Sequence, residues 1–313
     1  MRIASLLPSA TEIAFALGLG DDIVGVTHEC DYPPEAKEKR VVVKSLIDRE
    51  KLASRDIDES VRRRVREGKG IYTLDLLRFR AANPDFIITQ DLCDVCALDY
   101  NEVMKAIKWL THSPKIISLA PTRLADVLRD IERIGVSAGR KVDANTLVRR
   151  LRERIERVRS QISRAKSRPR VACIEWLDPL YSAGHWVPEM VELAGGADGL
   201  GKKGEPSEEI AWETVREFAP EVVVLMPCGF DVARTLRELP LIQDRPGWSK
   251  LPAVKTGRVF AVNGSAFFNR PGPRLVDGLE ILAQIIHPES FPARPPLEAA
   301  QRLSRQAAVS SKQ

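Results

Sequence analysis

The sequence predicts an α/β protein of two parallel-sheet lobes joined by a single long helix, with a ligand cleft between the lobes. Three observations carry that expectation. Short apolar strands alternate with helices, a strand–helix–glycine–acid unit occurs twice, and so does a proline–acid–strand–cysteine unit. Alternation of this kind gives a parallel sheet covered by helices on both faces.

Arg2 to Leu7 reads as a buried strand, and Ser9 with Glu12 as a capping-box pair opening a helix that ends near Gly18 and Gly20. Asp21 and Asp22 lead into a second strand, Ile23 to Thr27. Arg170 to Glu175 restarts the plan: a loop and the helix Val187 to Ala194 follow, then Gly195-Gly196 and Ala197-Asp198. The second echo sets Ala82-Asn83-Pro84-Asp85 before Phe86-Ile87-Ile88 and Cys93, and Ala219-Pro220-Glu221 before Val222 to Leu225 and Cys228. Each time a helix ends at a proline and an acid opens a buried strand. The expected division is a first lobe over 1–135, a connecting helix over 136–168 (Val136 to Lys166 at its core), a second lobe over 169–290, and a loosely packed tail over 291–313.

Composition narrows the function classes. No apolar run among the 313 residues approaches the roughly 20 needed to span a bilayer, so no membrane insertion is expected. Pro8, Ser9 and Glu12 interrupt the apolar core that a signal peptide requires. The expected location is therefore cytoplasmic, or periplasmic or extracellular for a trimmed chain, and the expected state is a monomer. Arg140 to Arg170 holds twelve basic residues against three acidic ones. Leu147, Leu151, Ile155, Val158 and Ile162 recur at helical spacing, and the stretch has no aromatic residue to stack on bases. A solvated helix face is expected there, and no nucleic acid. A P-loop, a Gly-x-Gly-x-x-Gly turn after a strand and a Gly-x-Ser-x-Gly elbow are all absent from the sequence.

Candidate chemistry lies in loops at strand ends. Ligands of open parallel sheets bind outside the carboxyl ends of the strands. Cys30 in Thr27-His28-Glu29-Cys30, the pair Cys93 and Cys96, and Cys228 in Met226-Pro227-Cys228 all stand there. These loops are expected to converge on one pocket at the lobe boundary. Cys30, Cys93, Cys96 and Cys228 form a candidate metal set, with His28 and His185 as further donors; thiolate with imidazole suits zinc, cobalt or an iron–sulfur cluster. The competing expectation is that these cysteines are small apolar wall residues. Glu175 and His185 could be acid and base or ligands, and His185 could equally cap the helix from Val187. Trp176, Trp186, Tyr32, Tyr72, Phe230, Phe267 and Phe268 fall in or near loops, where they suit a broad apolar ligand or simply pack on the core. Cys173 reads as core, and His112 and His287 as structural.

Arg2-Ile3-Ala4-Ser5-Leu6-Leu7-Pro8-Ser9-Ala10-Thr11-Glu12 resembles the opening of the helical-backbone (class III) substrate-binding proteins of ABC importers. Gly70 to Asp75, Asn83 to Ile88, Val136 to Lys166 and Trp248 to Asn263 are similar to later parts of the same framework, so the likeness covers residues 1 to about 288. The cobalamin-binding branch is the nearest in kind. The resemblance implies two α/β lobes with a rigid linker, a small-molecule metal complex as ligand (cobalamin first), and an ABC permease as partner. It implies contacts from the loops after Leu7, Thr27, Thr89, Leu119, Glu175, Met226 and Val262. Pro8, Ser9, His28, Glu29, Tyr32, Gln90, Glu175, His185, Trp186, Phe230 and Phe267 then join the candidate ligand residues, with Tyr72 and Trp176 stacking on the corrin. Two other functions stay open on the residues themselves: a zinc or iron–sulfur protein using the four cysteines, and an enzyme with a thiol nucleophile served by His28 or His185.

Overall fold

Ile3, Ala4 and Ser5 have no exposed surface and form β1 (Ile3–Ser5), a central strand with parallel neighbours on both sides. The computed structural model describes residues 1–90, 100–163, 165 and 167–304, and they divide into two compact units. Unit 1 comprises residues 1–121 and 125–150; unit 2 comprises 122–124 and the chain from 151 onward.

In unit 1, β2 (Ile23–Thr27), β3 (Val41–Ser45), β4 (Tyr72–Leu74), β5 (Phe86–Gln90) and β6 (Lys115–Leu119) complete a sheet in the order β4-β3-β2-β1-β5-β6. Only β4 runs antiparallel to its neighbour. Every residue of β5 is buried, which is why the strand reads as an unbroken apolar run in the sequence. The helix Pro8–Ala16 starts two residues earlier than the capping box requires. Proline's fixed φ and missing N–H suit a first helical position. Leu7 is the N-cap without a side-chain bond, and Ser9 and Glu12 are buried, so the expected box does not form. Gly18, at φ 71°, stops the helix as expected.

Unit 2 is built on β7 (Arg170–Leu177), with β8 (Leu180–Ser182), β9 (Ala197–Asp198), β10 (Val222–Leu225), β11 (Val259–Val262) and β12 (Ala300–Arg302). The path is β12-β11-β10-β7-β8, and β9 also pairs with β7. β7, β9, β10 and β11 are parallel, whereas β8 and β12 are antiparallel. Both sheets are thus mixed rather than purely parallel. Two residues separate Leu177 from Leu180, and a parallel return needs a crossover of about a dozen residues or more. The core under this sheet gathers Ile174, Leu177, Trp212, Val223, Leu225 and Trp248, each at most 5% exposed. Fully burying one such aliphatic side chain contributes roughly 1.5–3 kcal/mol.

The structure corrects two boundaries. The connecting helix does not begin at Val136: the helix Leu124–Ser137 ends there, and a separate helix, Lys141–Ile162, follows. Between them Arg140 N–H donates to Gly135 O (2.7 Å) and Gly139 N–H to Val136 O (3.3 Å), the paired bonds of a Schellman stop, with Gly139 at φ 71°. Apolar spacing runs on through this break, so periodicity alone hid it. The tail also packs: β12 adds to the edge of β11, and Ala299, Ala300 and Leu303 are 2%, 6% and 4% exposed. Its Pro- and Ala-rich composition masks those three apolar contacts.

The basic stretch is mostly exposed, Arg149, Arg150, Arg152, Arg157 and Arg159 among it, and a few of its arginines are put to structural use. Arg154 binds Asp277 and Glu280 on the helix Leu275–Ile286, which raises its pKa, and Arg168 donates to the carbonyls of Glu192 and Gly196. Ala144, Val148, Leu151 and Val158 form the buried stripe of the helix. Among the described residues, no helix is long and apolar enough to cross a membrane.

One corner is built twice. Asn83 and Ala219 take left-handed backbone (φ 42° and 48°) and end the helices Leu76–Ala82 and Trp212–Phe218 just before a proline. Arg2 Nε donates to the carbonyls of Ala82 (3.0 Å) and Asn83 (3.2 Å); Arg170 Nε donates to those of Phe218 and Ala219 (both 3.0 Å). The N–H of Arg2 meets the Asp85 carboxylate, and that of Arg170 meets Glu221.

Candidate functional site

The carboxyl ends of the strands carry the candidate side chains in each unit. In unit 1 the turn after β2 exposes His28, leaves Glu29 half-buried and turns Cys30 inward to 4% exposure. The Cys30 sulfur lies 3.0 Å from Thr11 Oγ1 and 3.3 Å from Thr27 Oγ1, and Thr11 donates onward to Ser5 Oγ at 2.8 Å. The thiol is thus held among buried hydroxyls and turned away from the exposed surface of the strand exit.

β4 runs antiparallel, so its first residue, Tyr72, lies level with Ser45 at the carboxyl end of β3. Arg49, just past β3, brings three side chains together. Its guanidinium donates to Tyr72 Oη (3.3 Å) and meets Glu29 Oε1 (3.4 Å), and His28 Nε2 lies 3.9 Å from the same carboxylate oxygen. The rings of His28 and Tyr72 are 6.2 Å apart. Tyr32 and Leu46 are exposed at 44% and 49% on these same turns. Ser9 is buried and Pro8 half-buried, so they shape the first turn of their helix more than they offer side-chain surface. Gln90 closes β5 at 7% exposure. Cys93 and Cys96 lie outside the described residues. Sequence reading missed Arg49 and Leu46. The signal was the apolar run Val41-Val42-Val43, which marks β3 and its exit.

In unit 2 the exits of β7, β10 and β11 meet. Glu175 and Trp176 are half-buried near the end of β7. Ser207 Oγ donates to Glu175 Oε2 at 2.8 Å, and the Cys228 N–H donates to Glu175 O at 3.0 Å. Trp176 packs against Phe230, with ring centroids 5.2 Å apart and planes tilted by 52°. Gly264, opening the turn after β11, passes so close to the β10 exit that a Cβ there would fall 2.6 Å from Pro227 O. Asn269 accepts the Gly229 N–H at 3.4 Å, and Phe267 stands half-buried with the Arg274 guanidinium 5.7 Å from its ring. Glu175, Trp176, Cys228, Phe230 and Phe267 are therefore brought to one edge.

His185 and Trp186 play other parts. His185 takes φ 51°, its N–H donates to Glu205 O (2.6 Å), and desolvation lowers its pKa. It does not cap the helix Val187–Leu193; Trp186 is the N-cap residue, without a side-chain bond. Trp186 is 6% exposed and its indole N–H donates to Phe268 O at 2.7 Å, which makes it a support within the unit and not a flat open surface. Phe230, 2% exposed, likewise backs Trp176 from below the surface, and Phe268 is buried. Cys173 is core as expected, its thiol pushed well up by burial. His287 is structural as expected, bonded to Gly195 O and Glu289. Among the described residues, which do not include Cys93 and Cys96, no group of three or more His, Cys, Asp or Glu could hold a metal ion.

A periplasmic binding protein family profile matches residues 3–266. The chain belongs to that family. It is 26% identical over 295 residues to an uncharacterized ABC transporter substrate-binding lipoprotein, YvrC, of Bacillus subtilis, covering 93% of this chain and 81% of the relative. It is also 26% identical over 288 residues to the vitamin B12-binding protein of Vibrio cholerae, covering 89% and 86%. A crystal structure of a periplasmic haem-binding protein from Pseudomonas aeruginosa shares the fold, with a TM-score of 0.70 at 19% identity over 97% of this chain and 95% of that one. The chain is thus a solute receptor of the ABC-transporter type, with the class III fold expected from its opening segment.

Proposed function

We propose that this receptor binds cobalamin or a related corrinoid and passes it to an ABC permease. The observation that carries this reading is Trp176, a half-buried indole at the β7 exit, backed by Phe230 at 5.2 Å and sharing its edge with Phe267. A large aromatic fixed against a second ring offers a broad apolar face, and such side chains bury about 150–250 Å² each when covered. Relatives at 26% identity that bind vitamin B12 support the choice of ligand.

Binding of this kind needs no chemistry from the protein beyond covering one ligand face and satisfying its polar rim. Trp176 would supply the face. Glu175 with Ser207 would meet the amide edge of a corrinoid. Cyanocobalamin mixed with the purified protein should stay with it through gel filtration, visible by its absorption, and should quench tryptophan emission. Loss of both signals overturns the proposal.

A second reading has its own observation. The Arg49 guanidinium holds the Tyr72 phenol at 3.3 Å, and a phenol oxygen is a known haem-iron ligand. Haem would then be the cargo, and haemin retained in place of cyanocobalamin would select this reading.

A further inference from the structure

We infer that Arg234 and Glu238 are positioning residues for Trp176, holding the indole in the orientation in which it meets ligand; this deepens the reading of Trp176 given above and rests on it. A half-buried tryptophan presents a fixed face only if something rigid stands behind it. Phe230 fills that place, but it belongs to the loop that leaves β10, directly after Gly229 at φ 78°, and loops are the mobile parts of a fold.

The ring of Phe230 is held from the next helix. Arg234, on the helix Val232–Arg237, sets its guanidinium carbon 4.8 Å from the Phe230 ring centroid, a cation–π contact. Arg234 is in turn ion-paired to Glu238, with side-chain exposures of only 15% and 8%. Its backbone N–H donates to the N-capping carboxylate of Asp231 at 2.6 Å, and Thr235 Oγ1 donates to Asp231 O at 2.8 Å, so the helix start is fixed as well. Arg234 and Glu238, the C-cap residue of the helix, stand four residues apart, a spacing that lets their side chains meet, while Phe230 precedes the N-cap Asp231. The result is a continuous path from a buried carboxylate, through a guanidinium and a phenyl ring, to the indole. No link in it belongs to the hydrophobic cluster under the sheet. Phe230 is itself buried at 2% exposure, so what Arg234 and Glu238 add to its packing is a polar tether.

The test separates positioning from simple stabilisation. Trp176 is isolated spectroscopically as the near-UV dichroism and emission difference between each protein and its Trp176→Phe counterpart, and binding is measured with cyanocobalamin and with haemin. Arg234→Met keeps the length of the side chain and removes its charge. It should broaden and red-shift the Trp176 difference spectrum and weaken the retained probe about fivefold, the scale of one of the weaker cation–π contacts. Arg234→Lys should restore part of both. In the Trp176→Phe background, Arg234→Met should cost no further affinity. An unchanged Trp176 spectrum, or an equal loss of affinity with and without Trp176, overturns the inference. Where Arg234→Met does not fold, Glu238→Gln gives the same two readouts. Retention of neither probe by the unaltered protein defeats the proposed ligand class, whereas the Trp176 difference spectrum still decides the positioning role.

Discussion

Arg2 and Arg170 stand at the amino ends of β1 and β7, cap the left-handed end of a helix and send their backbone N–H to the acid that follows a proline. At the other edge of the sheets the units part company. Unit 1 ends in a polar knot of His28, Glu29, Arg49 and Tyr72, whereas unit 2 ends in stacked aromatics on a buried ion pair. The shared corner solves a problem every such unit has, namely closing a helix onto a buried strand. The divergent edge has no such common requirement.

The largest effect that would sharpen this contrast is on binding. Trp176→Ala should weaken the retained ligand at least about tenfold, the equivalent of roughly 1.4 kcal/mol. Tyr72→Phe should cost less for a corrinoid and more for haem. Equal losses for both probes would erase the distinction between the edges. Next come the matched corners. Arg2→Ala and Arg170→Ala should each lower stability in urea titration by about 1–2 kcal/mol, after discount for partial exposure, because charge-assisted bonds to helix-end carbonyls are lost. A large effect at one corner and none at the other would mean the likeness is only geometric.

A third comparison uses the acids that follow the glycines. Asp22 stays partly exposed beside the amino terminus, whereas half-buried Asp198 has its pKa pushed up to about 6 by desolvation, against the N–H bonds from Leu200 and Gly201. The folded state therefore holds this proton more tightly than the unfolded chain does. The strain of the charged form is full above pH 6 and is relieved as pH falls towards the ordinary carboxylate range. Unfolding measurements should show Asp198 contributing about 1 kcal/mol more stability at pH 5 than at pH 7. Asp198→Asn, which keeps the turn's acceptor, should lack that gain, and Asp22→Asn should not alter it. The smallest effect concerns backbone. Ala219→Gly should stabilise by about 0.5 kcal/mol, since a Cβ is strained at positive φ, while Asn83→Gly should be near neutral because asparagine tolerates that conformation.

What was legible in the sequence follows the same line. β2 and β10 fall on their expected residues, and the Pro84 and Pro220 helix stops are where the chain signals them, because buried parallel strands and X-Pro steps leave local marks. β8 and β12 were not legible as antiparallel additions, since neither is long enough to show a period. The cysteine pattern shows the other limit. Sequence places Cys30 and Cys228 at strand exits, but not the direction of either side chain. Cys30 turns under the helix Pro8–Ala16 to meet Thr11, and Cys228 stays half-buried beside Glu175. Arg49 escaped because its value lies in what it reaches, twenty residues back to Glu29 and twenty-three ahead to Tyr72.

The short strand at 300–302 has a practical consequence for anyone handling this protein. It occupies the row of backbone donors and acceptors along β11 that would otherwise sit at the rim of the second sheet. Trimming the gene after the last long helix, near residue 290, would look harmless from composition. It would leave an adhesive rim of the sort through which sheets join end to end, so affinity tags and truncations belong beyond residue 304, not before 299.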